Sequence, residues 1–395
     1  MKKRKLYYKL ITFIEHKNAL IVTGMRQVGK TTLLKQIYDN LKISEKIWFN
    51  LDNPLDQLIF EETDYNNIFR NFQNLTKTNK NRIYVFIDEI QNFPEITRII
   101  KYLIDHYGVK FIVTGSSNFY LKNLFPESLS GRKFLFHLAP LSFQEYLYFN
   151  EKKTKEELLD FNYESIIKPQ SLYKFKLYEQ DYNDYLNFGG FPEVVLTNDI
   201  DTKKMILGNI LTSFFEKDIR LLSDYKDIRE LRDFIRLLVP RVGSMLDITK
   251  LSVELGITRV KSYSYLEFLQ GTYFIRLLSK FSQSIDKSIA GGKKFYFADT
   301  GLLKLIGNVN DGQLFENAVV NQLSQFGDLS FYNKRNTAEI DIILNNEKAF
   351  EVKLNATIYD YERLKKLSKK IGIKNFYLVS LNYKEIKNVI YPMFI

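Results

Sequence analysis

The sequence predicts an α/β protein: a parallel sheet with helices on both faces, then a helical region, then a smaller α/β domain. Three observations predict it. Near-continuous apolar segments alternate with amphipathic helices through the first part of the chain. A glycine-rich loop separates the first strand from the helix after it. Short β-branched strands return near the C-terminus.

The elements follow in order. Ala19 to Thr23 reads as a strand, and Lys30 to Tyr38 as a helix with Leu33, Leu34, Ile37 and Tyr38 on one face. Lys46 to Asn50, Arg82 to Ile87 and Lys110 to Thr114 read as further strands. Apolar strands without alternation are buried on both faces, as in a parallel sheet between helices. A polar run from Glu151 to Glu157 and the turn signal Phe188, Gly189, Gly190, Phe191, Pro192 mark a lid or connector. Helical periodicity resumes from Asp201 to Leu238. Asp247 to Leu255, Gly256, and Thr258 to Leu269 read as helix–turn–helix, with Gly256 where a tight turn needs it. Tyr273 to Phe281 and Lys294 to Ala298 supply a wing. A break falls near Ala290, Gly291 and Gly292. Beyond it come a strand at Ile340 to Leu344, a lysine-rich helix from Tyr361 to Lys370, and a strand from Asn375 to Val379. The expected domains are 1–150 (parallel sheet), 151–200 (connector), 201–290 (helical and winged helix) and 291–395 (small α/β).

Composition narrows the chemistry. Of 395 residues 45% are apolar, ample for buried cores. No cysteine is present, which excludes disulfides, thiolate catalysis and cysteine-based zinc sites. Three histidines argue against a histidine-rich metal centre. Lysine plus arginine number 57 against 46 acids, a net charge of +11. That excess suits a phosphate-rich polymer as partner, although a lysine-rich composition from an AT-rich genome produces it too. No run of about 18 apolar residues occurs, so no membrane span is expected. The basic start, Met1 to Lys5, reads as a solvated tip before the first helix. A cytoplasmic protein is expected.

Gly24, Met25, Arg26, Gln27, Val28, Gly29, Lys30 and Thr31 fit Gly-x-x-x-x-Gly-Lys-Ser/Thr at every fixed position, between a strand and a helix. Glycines let the backbone turn its N–H groups towards phosphates, and the helix N-terminus adds unpaired N–H groups and a positive dipole end. The loop from Gly24 to Thr32 is therefore the candidate nucleoside triphosphate site. Lys30 reaches the β- and γ-phosphates, and Thr31 ligates Mg²⁺.

The other half of such a site is an acid at a strand end. Asp88 follows Ile83 to Ile87 and is the candidate to hold Mg²⁺ through water; Glu89 is placed to polarise the attacking water. Ser116, Ser117 and Asn118 follow the next strand. Each is a candidate γ-phosphate sensor, and each reads equally as a helix N-cap. Arg132, after Ser130 and Gly131, is a candidate to neutralise transition-state charge in cis or across a subunit interface, so a homo-oligomer is among the partners allowed. An ordinary surface arginine is the other reading.

Two features lie further along. Arg259, Lys261, Ser262 and Ser264 open the second helix of the helix–turn–helix, where a recognition helix presents such groups to DNA. Packing or protein contact is the alternative. In the tail, Glu339 and Asp341 are followed by Glu351 and Lys353, which share a strand face. With Glu316 they form a possible second metal site: Glu316, Asp341 and Glu351 as oxygen ligands, Lys353 orienting water. This pattern resembles the core of restriction-type nucleases; alternating charge on an exposed hairpin is the bland reading.

These residues together resemble prokaryotic AAA-like P-loop ATPases fused to a domain catalogued as DUF4143. The resemblance runs through Gly24 to Leu33, Phe86 to Gln91, Thr114 to Ser117, Ser130 to Arg132, Leu141 to Glu145 and Gly189 to Pro192. It continues through Phe215 to Ile219, Tyr296 to Leu302 and Phe315 to Asn317. It implies an ATPase sheet, a helical connector, a winged helix and a restriction-nuclease-like C-terminal domain. It also implies ATP rather than GTP, and no guanine-reading Asn/Thr-Lys-x-Asp motif is suitably placed. Three readings follow: an ATPase coupled to DNA binding or remodelling, favoured because Lys30, Thr31, Asp88 and Glu89 form a hydrolytic set; an ATP-gated nuclease; and a non-hydrolysing switch that recruits a protein.

Overall fold

The computed structural model describes residues 1–77, 82–115, 129, 131–218, 225–282, 291–334 and 337–395. The chain divides into two compact units. The first comprises Met1–Ala139 with Gly271–Tyr273, and the second Pro140–Gln270 with Phe274–Ile395.

The first unit holds a five-stranded sheet in the order β2-β3-β4-β1-β5. Its strands are β1 (Ala19–Thr23), β2 (Lys46–Asn50), β3 (Tyr84–Asp88), β4 (Lys110–Gly115) and β5 (Lys133–His137), and every pair is parallel. β1, β3 and β4 are buried at each residue, as their unbroken apolar character requires. The helix Ile96–Tyr107 buries Ile96, Ile99, Ile100 and Leu103 on one stripe, at the spacing of a helix covering a sheet. From β1 the chain runs to the far edge and returns through β3 and β4, then crosses to β5 on the other side of β1. The strand order therefore reverses beside β1, and the crevice at the carboxyl ends of the strands opens there.

Helix α1 (Lys5–Thr12) precedes β1, and helix α2 (Lys30–Asn40) follows the glycine loop. The basic start departs from the solvated tip expected of it. Arg4 is buried, 7% exposed, and its guanidinium donates to the carbonyls of Val28 (3.1 Å) and Ala139 (2.9 Å). The backbone of Lys2 is also engaged, its carbonyl accepting from the Gln36 amide of α2 at 3.0 Å. Val28 lies in the loop and Ala139 just past β5, and the long Arg4 side chain spans the two carbonyls.

The second unit holds a seven-stranded mixed sheet in the order β12-β11-β10-β9-β8-β6-β7. The strands are β6 (Ile275–Lys280), β7 (Lys293–Phe297), β8 (Leu329–Lys334), β9 (Ala338–Leu344), β10 (Lys348–Lys353), β11 (Asn375–Ser380) and β12 (Val389–Ile390). β6 and β7 form an antiparallel hairpin, as expected of a wing, but β6 also pairs in parallel with β8 through Ser279 and Lys280. The hairpin thus belongs to the C-terminal sheet, and the boundary expected between 290 and 291 falls between two neighbouring strands of it. The helices Ile248–Leu255 and Arg259–Gly271 flank Gly256, whose φ of 65° makes the turn.

One lock in this unit joins two distant turns. Asp299 caps the helix Thr300–Ile306 by accepting from Leu302 N–H at 3.0 Å, and also accepts from Gly190 N–H at 2.7 Å. A Cβ at Gly189, where φ is +75°, would lie 2.2 Å from the Asp299 carboxylate oxygens. Only glycine fits there.

Candidate functional site

The loop after β1 is shaped by its glycines. Gly24 has φ 156°, and a Cβ on it would come 2.1 Å from the Leu138 carbonyl at the end of β5. Gly29 caps α2 in the left-handed region at φ 94°, and Gln27 shares that region at φ 61°. The backbone thus winds around a concavity at the N-terminus of α2, where unpaired N–H groups and the helix dipole favour an anion. Lys30 is the first residue of α2. It is 5% exposed, and its ammonium donates to the carbonyls of Gly24 (3.0 Å) and Met25 (2.8 Å). Val28 is buried, Arg26 half-buried, and Gln27 and Thr32 exposed.

Asp88 ends β3, and β4 lies between β3 and β1. Thr31 Oγ1 donates to Asp88 Oδ2 at 2.7 Å, so the first turn of α2 and the end of β3 meet directly. Thr114 of β4 closes the gap from the other side. Its hydroxyl donates to Asp88 Oδ1 and accepts from the Glu89 backbone N–H at 3.2 Å. Burial raises the pKa of Asp88, while the two threonine hydroxyls and the Lys30 charge oppose the rise. Glu89 has φ 57°, a left-handed backbone uncommon for a side chain of this size, and its carboxylate accepts from the Gln91 amide. A hydroxyl oxygen and a buried carboxylate side by side are the hard oxygen donors that Mg²⁺ takes, so Thr31 and Asp88 fit that ion.

Thr114 is the residue that sequence reasoning misses. A threonine ending an apolar strand is ordinary strand composition, and its place between two strands appears only with the sheet order. Ser116, Ser117 and Asn118, and Ser130, lie outside the described residues.

Arg132 is a correction. Its carbonyl accepts from Ala19 N–H, and the next residue, Lys133, pairs with Ala19 at the start of β1. The glycine loop leaves the other end of β1. Five residues of parallel strand, roughly 15 Å, separate the two. Arg132 instead pairs with Asp105 at 2.5 Å, so it does not serve this loop within the chain.

Residues 16–147 match the family model described as an AAA domain; residues 179–312 and 311–393 match two domains of unknown function, DUF8612 and DUF4143. The N-terminal part of the chain thus matches an AAA domain and its C-terminal part a DUF4143 region. An uncharacterized protein of Methanocaldococcus jannaschii is 29% identical over 377 residues, covering 93% of this chain and 81% of the relative. One from Haemophilus influenzae is 27% identical over 348 residues, covering 85% and 81%. Among solved structures, the Orc1 protein of Aeropyrum pernix in complex with DNA aligns with 78% of this chain and 92% of its own, at 10% identity and a TM-score of 0.34. That likeness is too weak to carry a conclusion. The AAA domain is a P-loop fold of the ATP-binding kind, and the glycine loop lies within its matched residues. No helix among the described residues is long and apolar enough to cross a membrane.

The DUF4143 region gathers the tail residues, but not as a metal site. Glu351 is 2% exposed and is paired with Lys353 (2.9 Å) and with Arg363. Asp341 Oδ2 accepts from Val352 N–H at 2.8 Å. Glu316 accepts from Tyr296 OH at 2.6 Å and lies 3.6 Å from the Lys294 ammonium, which also pairs with Glu339. Burial first, and the Asp341 charge second, push Glu316 and Glu351 each up to about 7. Each acid already has a cation or donor of the chain. No group of three or more His, Cys, Asp or Glu among the described residues is arranged to hold a metal ion. The set does not fit the second metal expected there, and no metal chemistry is derived for it.

The helix–turn–helix also differs from expectation. Lys261 pairs with Asp227 (2.6 Å) and Glu230 (2.5 Å), and Ser262 is buried, 2.8 Å from the Ser252 hydroxyl. Arg259, Tyr263 and Ser264 remain on the exposed face.

Proposed function

We propose that the AAA domain binds ATP with Mg²⁺ at Gly24–Thr32 and hydrolyses it, and that duplex DNA bound by the helix–turn–helix raises the turnover. The observation that carries the reading is the 2.7 Å bond between Thr31 and Asp88, beside a buried Lys30 on the same turn. Loop N–H groups from Arg26 to Thr31 hold the phosphates, and Lys30 turns its ammonium from the loop carbonyls to the β- and γ-oxygens. Thr31 and Asp88 hold Mg²⁺, which when bound neutralises charge on the phosphate oxygens. Glu89 orients a water and takes its proton as the bond from water oxygen to γ-phosphorus forms and the β–γ bridging bond breaks. ATP is preferred to GTP on the strength of the AAA match.

Phosphate release by the full chain, with Mg²⁺ or EDTA and with or without duplex DNA, tests this. Turnover that needs Mg²⁺ and rises with DNA supports the reading. A chain that binds ATP but never turns it over leaves the non-hydrolysing switch as the better account.

The DNA half rests on the net charge of +11 and the exposed Arg259 at the start of its helix. Arg259→Ala is expected to weaken duplex binding and to reduce the slope of log affinity against log salt by about 1. Anisotropy titrations at several salt concentrations measure both. An unchanged slope would remove that helix from the interface.

A further inference from the structure

The N-terminal arginine has no part in the phosphate-loop motif, yet it is bonded to the loop. Arg4 is the residue before α1, and its guanidinium is buried. One amino group donates to Val28 O at 3.1 Å, the other to Ala139 O at 2.9 Å, just past the end of β5. The second bond fixes the guanidinium against the sheet, and the first reaches from that anchor into the loop.

Val28 stands between two residues with left-handed backbones, Gln27 at φ 61° and Gly29 at φ 94°. Such a stretch has few steric reasons to prefer one orientation of the Val28–Gly29 peptide, because glycine adopts either sign of φ. The peptide itself is planar and trans, so the Val28 carbonyl and the Gly29 N–H point in opposite directions. Whatever holds the carbonyl aims the N–H. Arg4 holds the carbonyl from a guanidinium anchored on Ala139, and so fixes the direction of the Gly29 N–H.

We propose that Arg4 is a positioning residue for the phosphate loop: it orients the Val28–Gly29 peptide so that the Gly29 N–H is presented to the nucleotide phosphates. The inference rests on the nucleotide reading above and deepens it. Arg4 reaches the loop through the Val28 backbone carbonyl, whereas Lys30, Thr31, Asp88 and Glu89 are held by bonds of their own. Its loss therefore weakens nucleotide binding and spares the chemical step. Lysine at this position restores only part of the effect, since an ammonium lacks the planar fork that spans two carbonyls.

The test compares the full-length wild type, Arg4→Gln, Arg4→Lys and Lys30→Ala, using a fluorescent ATP analogue for affinity and phosphate release for KM and kcat. Arg4→Gln is expected to raise Kd and KM about tenfold or more with kcat at saturating ATP within about twofold of wild type, and Arg4→Lys to fall between. Hydrogen exchange in the nucleotide-free chain is expected to rise in the peptide spanning 24–31. Wild-type affinity in Arg4→Gln, with Lys30→Ala impaired, overturns the role of Arg4 and leaves the nucleotide site standing. Equal loss of kcat and affinity, with exchange raised throughout the first unit, overturns it too, because Arg4 would then merely hold the fold. A wild type that binds no ATP analogue overturns both readings together.

Discussion

Glu89→Gln is expected to lower ATP turnover by about a hundredfold or more while leaving ATP affinity close to wild type. The amide has the size of the carboxylate and keeps an oxygen for the Gln91 amide to donate to, so the local structure survives. The backbone of Glu89 is held independently, through its N–H to the Thr114 hydroxyl. What the substitution removes is the ability to accept a proton from water. Lys30→Ala separates from it by phenotype. The buried ammonium is lost from the centre of the loop, and with it a charge-assisted bond of about 1.5–3 kcal/mol. ATP affinity is therefore expected to fall by at least about tenfold, and turnover with it. Equilibrium titration with a fluorescent nucleotide, beside phosphate release, distinguishes the two. If Glu89→Gln turned over ATP like the wild type, the base would have to be sought elsewhere. If it lost affinity as Lys30→Ala does, its role would be structural.

What was legible in the sequence and what was not follow from the range of the interactions. The loop from Gly24 to Thr31 is contiguous, so its spacing alone announces it: a left-handed turn is required at Gly29, and at Gly24 a Cβ would meet the Leu138 carbonyl. The strands of the first unit were legible for the same reason, since burial on both faces writes itself into unbroken apolar runs. The face shared by Glu351 and Lys353 follows from strand alternation, and their 2.9 Å pair agrees with it. Arg363, which pairs with Glu351, comes from the following helix, and Lys294, which lies against Glu316 and Glu339, comes from a strand well before them; no spacing rule announces either. Arg4 sits in a run of basic residues, where solvation is the sound expectation; only tertiary structure supplies two inward carbonyls. Arg132 is different, because its placement could have been read. It precedes an apolar strand, and in a parallel sheet the start of any strand lies at the edge opposite the loop that leaves β1.

Asp299→Ala is expected to destabilise the second unit by about 3–5 kcal/mol, through loss of a helix cap and two buried N–H groups left without an acceptor. Thermal or denaturant unfolding measures it. The carboxyl is wholly enclosed: Gly190 and Leu302 donate to it, and the Gly189 Cα faces it closely enough to exclude any side chain. Burial outweighs these donors and pushes its pKa up to about 6 from 3.8. The sign of the pH dependence follows. A carboxyl whose pKa is higher folded than unfolded takes up its proton first in the folded state, so its contribution is full below about 3.8 and is lost as pH rises through about 6. The deficit of Asp299→Ala relative to wild type should therefore widen as pH falls from 7 towards 5. A deficit that narrows over that range would mean that the ionised carboxylate, held by the backbone donors, is the favoured form. A variant as stable as wild type would mean that the turn at Gly189 and the helix Thr300–Ile306 are joined by packing alone.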